Sequence, residues 1–205
     1  SPAAEAVLDG QQIVRSLGWL KREQSFEPDV IIVACGSSPI KPRIPGLNEY
    51  AHHVLEAYEN LDSIGHKVVM VGGGLAGCET GIFLAELGHQ VDIVEMLPEL
   101  ARDANWMSQQ GMLVPIEKYN IGVHTSTACT EVLPNGVRVK NPDGTESILD
   151  ADTVIYGLGM RANSATVDAL RDCADEVIAV GDCKRARKVP NAVHEGYFAA
   201  LDIGV

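Results

Sequence analysis

The sequence predicts an α/β fold, a parallel sheet with helical crossovers and an antiparallel β-meander, accompanied by a second, smaller unit. Three observations lead there. Between residues 67 and 124 short apolar runs alternate with helix-like stretches in the order β-α-β-α-β, the pattern of parallel strands joined by helices. From Thr130 the rhythm changes. Two turn signals, Pro134-Asn135-Gly136 and Asn141-Pro142-Asp143-Gly144, separate short strands that therefore run antiparallel. Outside both sections, two further β-branched runs at 30–34 and 177–180 each lead into a glycine.

The elements follow in order. Residues 1–27 carry mixed helical signals, with apolar Val7, Leu8, Ile13, Val14, Leu17 and Leu20 interrupted by Gly10 and Gly18, and are expected to hold one or two helices. The run VIIVA at 30–34, closed by Gly36, reads as a strand buried on both faces. SSPIKPRIPG follows; Pro39, Pro42 and Pro45 bar it from a helix interior, so it is a linker or crossover. The pair His52-His53 reads as solvated loop or helix-end residues rather than metal ligands. A strand at 67–71 enters a glycine run, a helix at 75–87 leaves it, and Gly88 suits the left-handed position that closes a helix. A strand at 91–94, a helix at 106–119 and a strand at 121–124 complete the alternation. After the meander, a buried strand at 153–156 ends in Gly157-Leu158-Gly159, and the strand at 177–180 ends in Gly181-Asp182.

Composition narrows the function classes. With 46% hydrophobic and 21% charged residues in 205, the chain has the means to bury a core. Its net charge of -12 opposes a polyanionic partner, so neither nucleic acid nor an anionic membrane is expected. No apolar run nears the roughly 18 residues of a membrane-spanning helix. Cys35, Cys78, Cys129, Cys173 and Cys183 are scattered without a C-x-x-C, which reads as reduced thiols in a cytoplasmic protein and weighs against a zinc site.

Gly72, Gly74 and Gly77 satisfy G-x-G-x-x-G, a pattern weak by itself in a chain with 20 glycines. Its context makes it specific. The motif leaves an apolar strand, opens a helix, and precedes Glu95, at the end of the next strand, by the roughly 20 residues of a Rossmann-like dinucleotide fingerprint. Gly72 permits the tight turn, Gly74 lets backbone approach a pyrophosphate, and Gly77 lets helix pack on strand. The helix N-terminus offers N–H groups and partial positive charge to the phosphates. Glu95 is placed to accept from the adenosine ribose and to repel a 2′-phosphate, which favours NADH over NADPH. The plainer reading is a glycine turn that merely packs a helix on a sheet. Glu79 reads either as a ligand or as an exposed first-turn carboxylate steadied by the helix dipole, and Cys78 as a small packing residue.

Taken in order, VIIVACGSSPIKPRIPG, VVMVGGGLAGCETGIFLAELGHQVDIVE, DADTVIYGLGMRAN and VIAVGDCKRARKVPNAVHEGYFAALDIG resemble the pyridine-nucleotide part of the two-dinucleotide-binding flavoproteins. The nearest likeness is to the C-terminal region of the multidomain NADH:flavin oxidoreductases, the group of 2,4-dienoyl-CoA reductase, enoate reductase and trimethylamine dehydrogenase. The resemblance implies that Asp182 is a carboxylate near the flavin ribityl and pyrophosphate. It also implies that Gly157 and Gly159 lie in a loop passing close to the nicotinamide nucleotide, and that Cys35 stands where threonine is usual. One departure counts against a complete enzyme: members open with a first G-x-G-x-x-G for the flavin's ADP, and this chain has only one such motif. It is expected to be a fragment, a deletion form or a reduced relative, lacking flavin and barrel domains or self-associating in their place.

The resulting expectation is a Rossmann-like NADH-binding domain at 62–159, with 1–61 and 160–205 forming an incomplete FAD-type companion. Its cofactor-binding residues are Gly72, Gly73, Gly74, Leu75, Ala76, Gly77, Glu79, Glu95, Gly157, Gly159 and Asp182, with NADH as cofactor and FAD as that of the complete enzyme. No catalytic acid, base or nucleophile is nominated, because in such enzymes the cofactors carry the chemistry. The alternative is a non-catalytic ADP- or NAD-binding docking module of a larger assembly.

Overall fold

The protein is described from a computed structural model covering residues 28–203, so the helices expected before residue 28 lie outside the described residues. Along the chain come β1 (Val30–Val33), β2 (Ser37–Pro39), α1 (Leu47–Tyr50), β3 (Ala51–His53) and α2 (Val54–Glu59). Next are β4 (Lys67–Val71), α3 (Leu75–Glu86), β5 (Gln90–Val94), α4 (Trp106–Lys118) and β6 (Gly122–His124). The strands β7 (Ala128–Leu133), β8 (Gly136–Lys140), β9 (Glu146–Asp150) and β10 (Thr153–Tyr156) follow. The last elements are β11 (Met160–Ala162), α5 (Ser164–Leu170), β12 (Glu176–Ala179) and α6 (Val189–Asp202).

The described residues divide into two units, one of 28–38 with 160–203, the other Pro39–Gly159. The second unit holds a five-stranded sheet in the order β3-β10-β4-β5-β6, every pairing parallel. Parallel strands need crossovers, and α3 and α4 supply them. The two-residue side-chain period of a strand explains the two cores. Val68, Met70, Val91 and Ile93 face Leu84, Met112 and Ile116 of the helices, whereas Val69, Val71 and Val94 face Val132, Val137 and Val139 of the antiparallel β7-β8-β9 meander. Gly88 closes α3 at φ 98, as its place in the sequence suggests.

Residues 39–61 pack into this unit, and the boundary falls at Pro39 where the sequence suggests 62. Leu47, Val54 and Ala57 are buried in its cores, and β3 adds a strand beside β10. His53 corrects the solvated reading: it is only 4% exposed, lies edge-on to Tyr156, and caps α2 through Nδ1, which accepts from Leu55 N at 3.3 Å. The expectation that the VIIVA strand is buried on both faces also fails. Among the described residues β1 pairs only with β12, so of its residues only Val33 is fully buried and Ile32 is 37% exposed.

Candidate functional site

The strand order sets the place of the site. From β4 the chain crosses by α3 to β5 on one side, while β10 lies on the other, so the sequence order reverses at β4. In open α/β sheets ligands bind outside the carboxyl ends of strands at such a switch point. The residues that immediately follow these three strands are Gly72, Glu95 and Gly157.

Gly72 has φ 102, and its N–H donates to Val94 O at 2.9 Å, turning the chain sharply off β4. A Cβ at Gly77 would stand 1.9 Å from Gly72 O, and one at Gly72 would stand 2.5 Å from Gly157 O. Backbone thus touches backbone where the turn, the helix and the end of β10 converge, and side chains are excluded there. This packing accounts for Gly72 and Gly77. Gly74 is different: it caps α3 in extended conformation without a side-chain bond, and its own Cβ would meet nothing nearer than 3.5 Å. The space over Gly74, at the helix N-terminus, is where backbone can approach a phosphate.

Glu95 is 8% exposed and gripped at both oxygens: Oε2 accepts from Gly73 N at 2.7 Å and Oε1 from Leu97 N at 2.8 Å. An ionised carboxylate offers about four acceptor positions, so two remain for ribose hydroxyls. The residue is thus a brace between the end of β5 and the glycine turn as well as a candidate ligand. Gly73 sits under the same constraint, since its Cβ would lie 2.5 Å from Leu100 Cδ2 and 2.9 Å from Glu95 Cβ.

Leu75 and Ala76 open α3, half-buried and exposed respectively. Glu79 is exposed but lies past the first turn of α3, too far along for the dipole to steady it as a first-turn carboxylate. Cys78 packs in the core, its Sγ donating to Gly73 O at 3.3 Å, and burial pushes its thiol up to about 11. A Cβ at Gly157 would stand 3.1 Å from Val54 Cγ1 and 3.7 Å from Gly77 Cα, while exposed Gly159, at φ 91, accepts from Ile40 N at 3.0 Å. Asp182 belongs to the other unit, where Oδ2 accepts from Ser37 Oγ and Oδ1 from Arg187 N, both at 3.1 Å. Beside it, Glu195 accepts from Gly181 N at 2.8 Å and is paired with Arg187, whose hydrogen bond holds its carboxyl below the usual range.

Sequence reasoning missed Asp103, whose Oδ1 accepts from Leu75 N at 2.8 Å, and Ala101, whose N–H donates to Gly73 O at 2.7 Å. Neither has a signal of its own, because the contacts join a loop to a glycine turn far away in sequence.

A glycine turn at a topological switch point, opening a helix and tied to a carboxylate at the end of the adjacent strand, defines a doubly wound dinucleotide-binding α/β protein. Comparison with known families narrows the class. The chain belongs to the pyridine nucleotide-disulphide oxidoreductase family, whose model matches residues 3–196. The cofactors of that family are FAD and NAD(P)H. The chain is 38% identical over 177 residues to a bilirubin reductase of Mediterraneibacter gnavus, covering 84% of this chain and 27% of that protein. It is 34% identical over 185 residues to an NADH oxidase of Thermoanaerobacter brockii, covering 87% and 28%. Among solved structures, 2-naphthoyl-CoA reductase in complex with 2-naphthoyl-CoA superposes with TM-score 0.80 at 30% identity, over 86% of this chain and 27% of that one. The chain thus spans little more than a quarter of the length of these relatives.

Proposed function

We propose that the chain is the NADH-binding electron-input module of a flavin-dependent oxidoreductase of the multidomain NADH:flavin type. The carrying observation is Glu95, buried at the end of β5 and bonded to the glycine turn, with two acceptor positions left for a ribose. Similarity to an NADH oxidase, a bilirubin reductase and a 2-naphthoyl-CoA reductase, each several times longer, supports a module within a larger flavoprotein.

In this reading the unit Pro39–Gly159 holds NADH and the other unit is the FAD-type companion, both in the cytoplasm. No helix among the described residues is long and apolar enough to cross a membrane. Leu75 and Ala76 present N–H groups to the pyrophosphate, Gly74 allows its approach, Gly72, Gly73 and Gly77 shape the turn beneath it, and Gly157 and Gly159 flank the nicotinamide side. Exposed Glu79 borders the nucleotide, and Asp182 accepts from the flavin. When bound, NADH supplies the hydride and FAD accepts it; the chain binds, orients and excludes the wrong nucleotide.

The test is calorimetric titration of NADH and NADPH. Hydrogen bonds to a charged acceptor contribute about 1.5–3 kcal/mol each, so NADH should bind at least tenfold ahead. Glu95→Gln should weaken NADH and relieve repulsion of NADPH, narrowing the preference from both sides, while Glu99→Gln, exposed two residues past the loop bond at Leu97, should leave it unchanged. Equal affinity for both nucleotides in the unaltered chain, or no response to Glu95→Gln, sinks the ribose assignment.

A further inference from the structure

The N-terminus of α3 already has an anion on it. Asp103 Oδ1 accepts from Leu75 N at 2.8 Å and stands 3.5 Å from where a Cβ of Gly74 would be. A carboxylate of the chain itself therefore borders the room over Gly74. Its flanks are fixed: Ala101 is 1% exposed and donates to Gly73 O at 2.7 Å, Leu100 is 7% exposed and accepts from Gln109 Nε2 at 2.8 Å, and Asn105 caps α4 by accepting from Ser108 N at 2.9 Å. Asp103 is exposed, on a segment held at both flanks.

We propose that Asp103 competes with the pyrophosphate of the bound nucleotide for the Leu75 N–H and thereby sets nucleotide affinity. The inference rests on the nucleotide reading above. One N–H makes one well-aligned hydrogen bond, so a phosphate oxygen at Leu75 displaces the carboxylate, and the two negative charges then stand within a few ångströms of each other. A state that must first release its internal anion binds more weakly by the fraction of time the site is open. The effect falls on phosphates and spares a nucleoside.

Asp103→Asn keeps an acceptor oxygen for Leu75 N and removes the charge; Asp103→Ala removes both. Titrated with NADH at low salt, both variants should bind about three- to tenfold more tightly than the unaltered chain. Raising the salt from about 0.01 to 0.5 M should narrow that gap, because shorter Debye lengths screen the repulsion. ADP should share the gain and adenosine should not. A purely structural cap gives the opposite sign, weaker binding with a lowered Tm. Unchanged or weakened NADH binding in both variants, or an equal gain for adenosine, overturns the proposal while leaving the nucleotide site standing. Absence of NADH binding in all three proteins overturns the nucleotide reading and this inference with it.

Discussion

His53 shows how one buried polar side chain carries a pH dependence. Its ring is buried against Tyr156, its Nδ1 accepts from Leu55 N, and its backbone N–H donates to Glu56 Oε2 at 2.9 Å, a reciprocal cap for α2. Accepting requires the neutral ring. Burial lowers the pKa from 6.5, Glu56 opposes that shift and Lys41 adds to it. The folded state therefore binds the proton less readily than the unfolded chain. Stability from this residue is fully present above pH 6.5 and is lost as pH falls from there through the depressed folded value. Urea midpoints measured from pH 7.5 to 5 should fall for the unaltered chain and fall less for His53→Asn, which keeps a capping acceptor and cannot charge. Parallel curves for the two proteins would remove His53 from the account.

At the scale of an element, α4 is the one helix with a proline in its interior, among the described residues. Pro115 has no N–H for the carbonyl of Gly111, one turn back, and that glycine is exposed to solvent. The helix persists because Met112 and Ile116 are buried against the sheet and Asn105 caps its start. Packing outweighs propensity here. An interior proline costs about 3 kcal/mol relative to alanine, and about 1 kcal/mol of that is offset by the stiffer unfolded chain. Pro115→Ala should raise stability by about 2 kcal/mol, read as a higher urea midpoint at constant slope. An unchanged or lower midpoint would mean that the proline ring packs better than its exposure suggests.

At the scale of the whole chain, the outer surface of α6 is the feature to explain. Val189, Val193, Tyr197 and Leu201 recur every four residues and are 76, 65, 62 and 52% exposed. Residues four apart share a helix face, so these side chains form one apolar stripe on a chain that spans little more than a quarter of the relatives above. Exposed stripes of this kind promote association, whereas a net charge of -12 opposes it. Light scattering should show mass growing with protein concentration, and more steeply at high salt, where the charge is screened. Val193→Ser combined with Tyr197→Ser should return the chain to monomer. A monomeric mass at millimolar concentration and high salt would show that the stripe is inert.

Much of the architecture was legible in the sequence because its causes are local. Alternation of β-branched runs with helical stretches gave the parallel sheet, and Asn135-Gly136 and Asp143-Gly144 marked the meander turns. The spacing from Gly72 to Glu95 placed a glycine turn beside a carboxylate, and a 2.7 Å bond from Gly73 joins them. Tertiary structure alone decided which neighbours each residue meets. It drew residues 39–61 into the unit Pro39–Gly159, because β3 finds its partner in β10, roughly a hundred residues later. It buried His53 against Tyr156 and left β1 half-covered. It also set Asp103 on the N–H of Leu75, across 28 residues. Periodicity and turn chemistry report what a segment becomes, whereas a carboxylate in a loop reports nothing of the donor it will reach until the sheet has closed the distance.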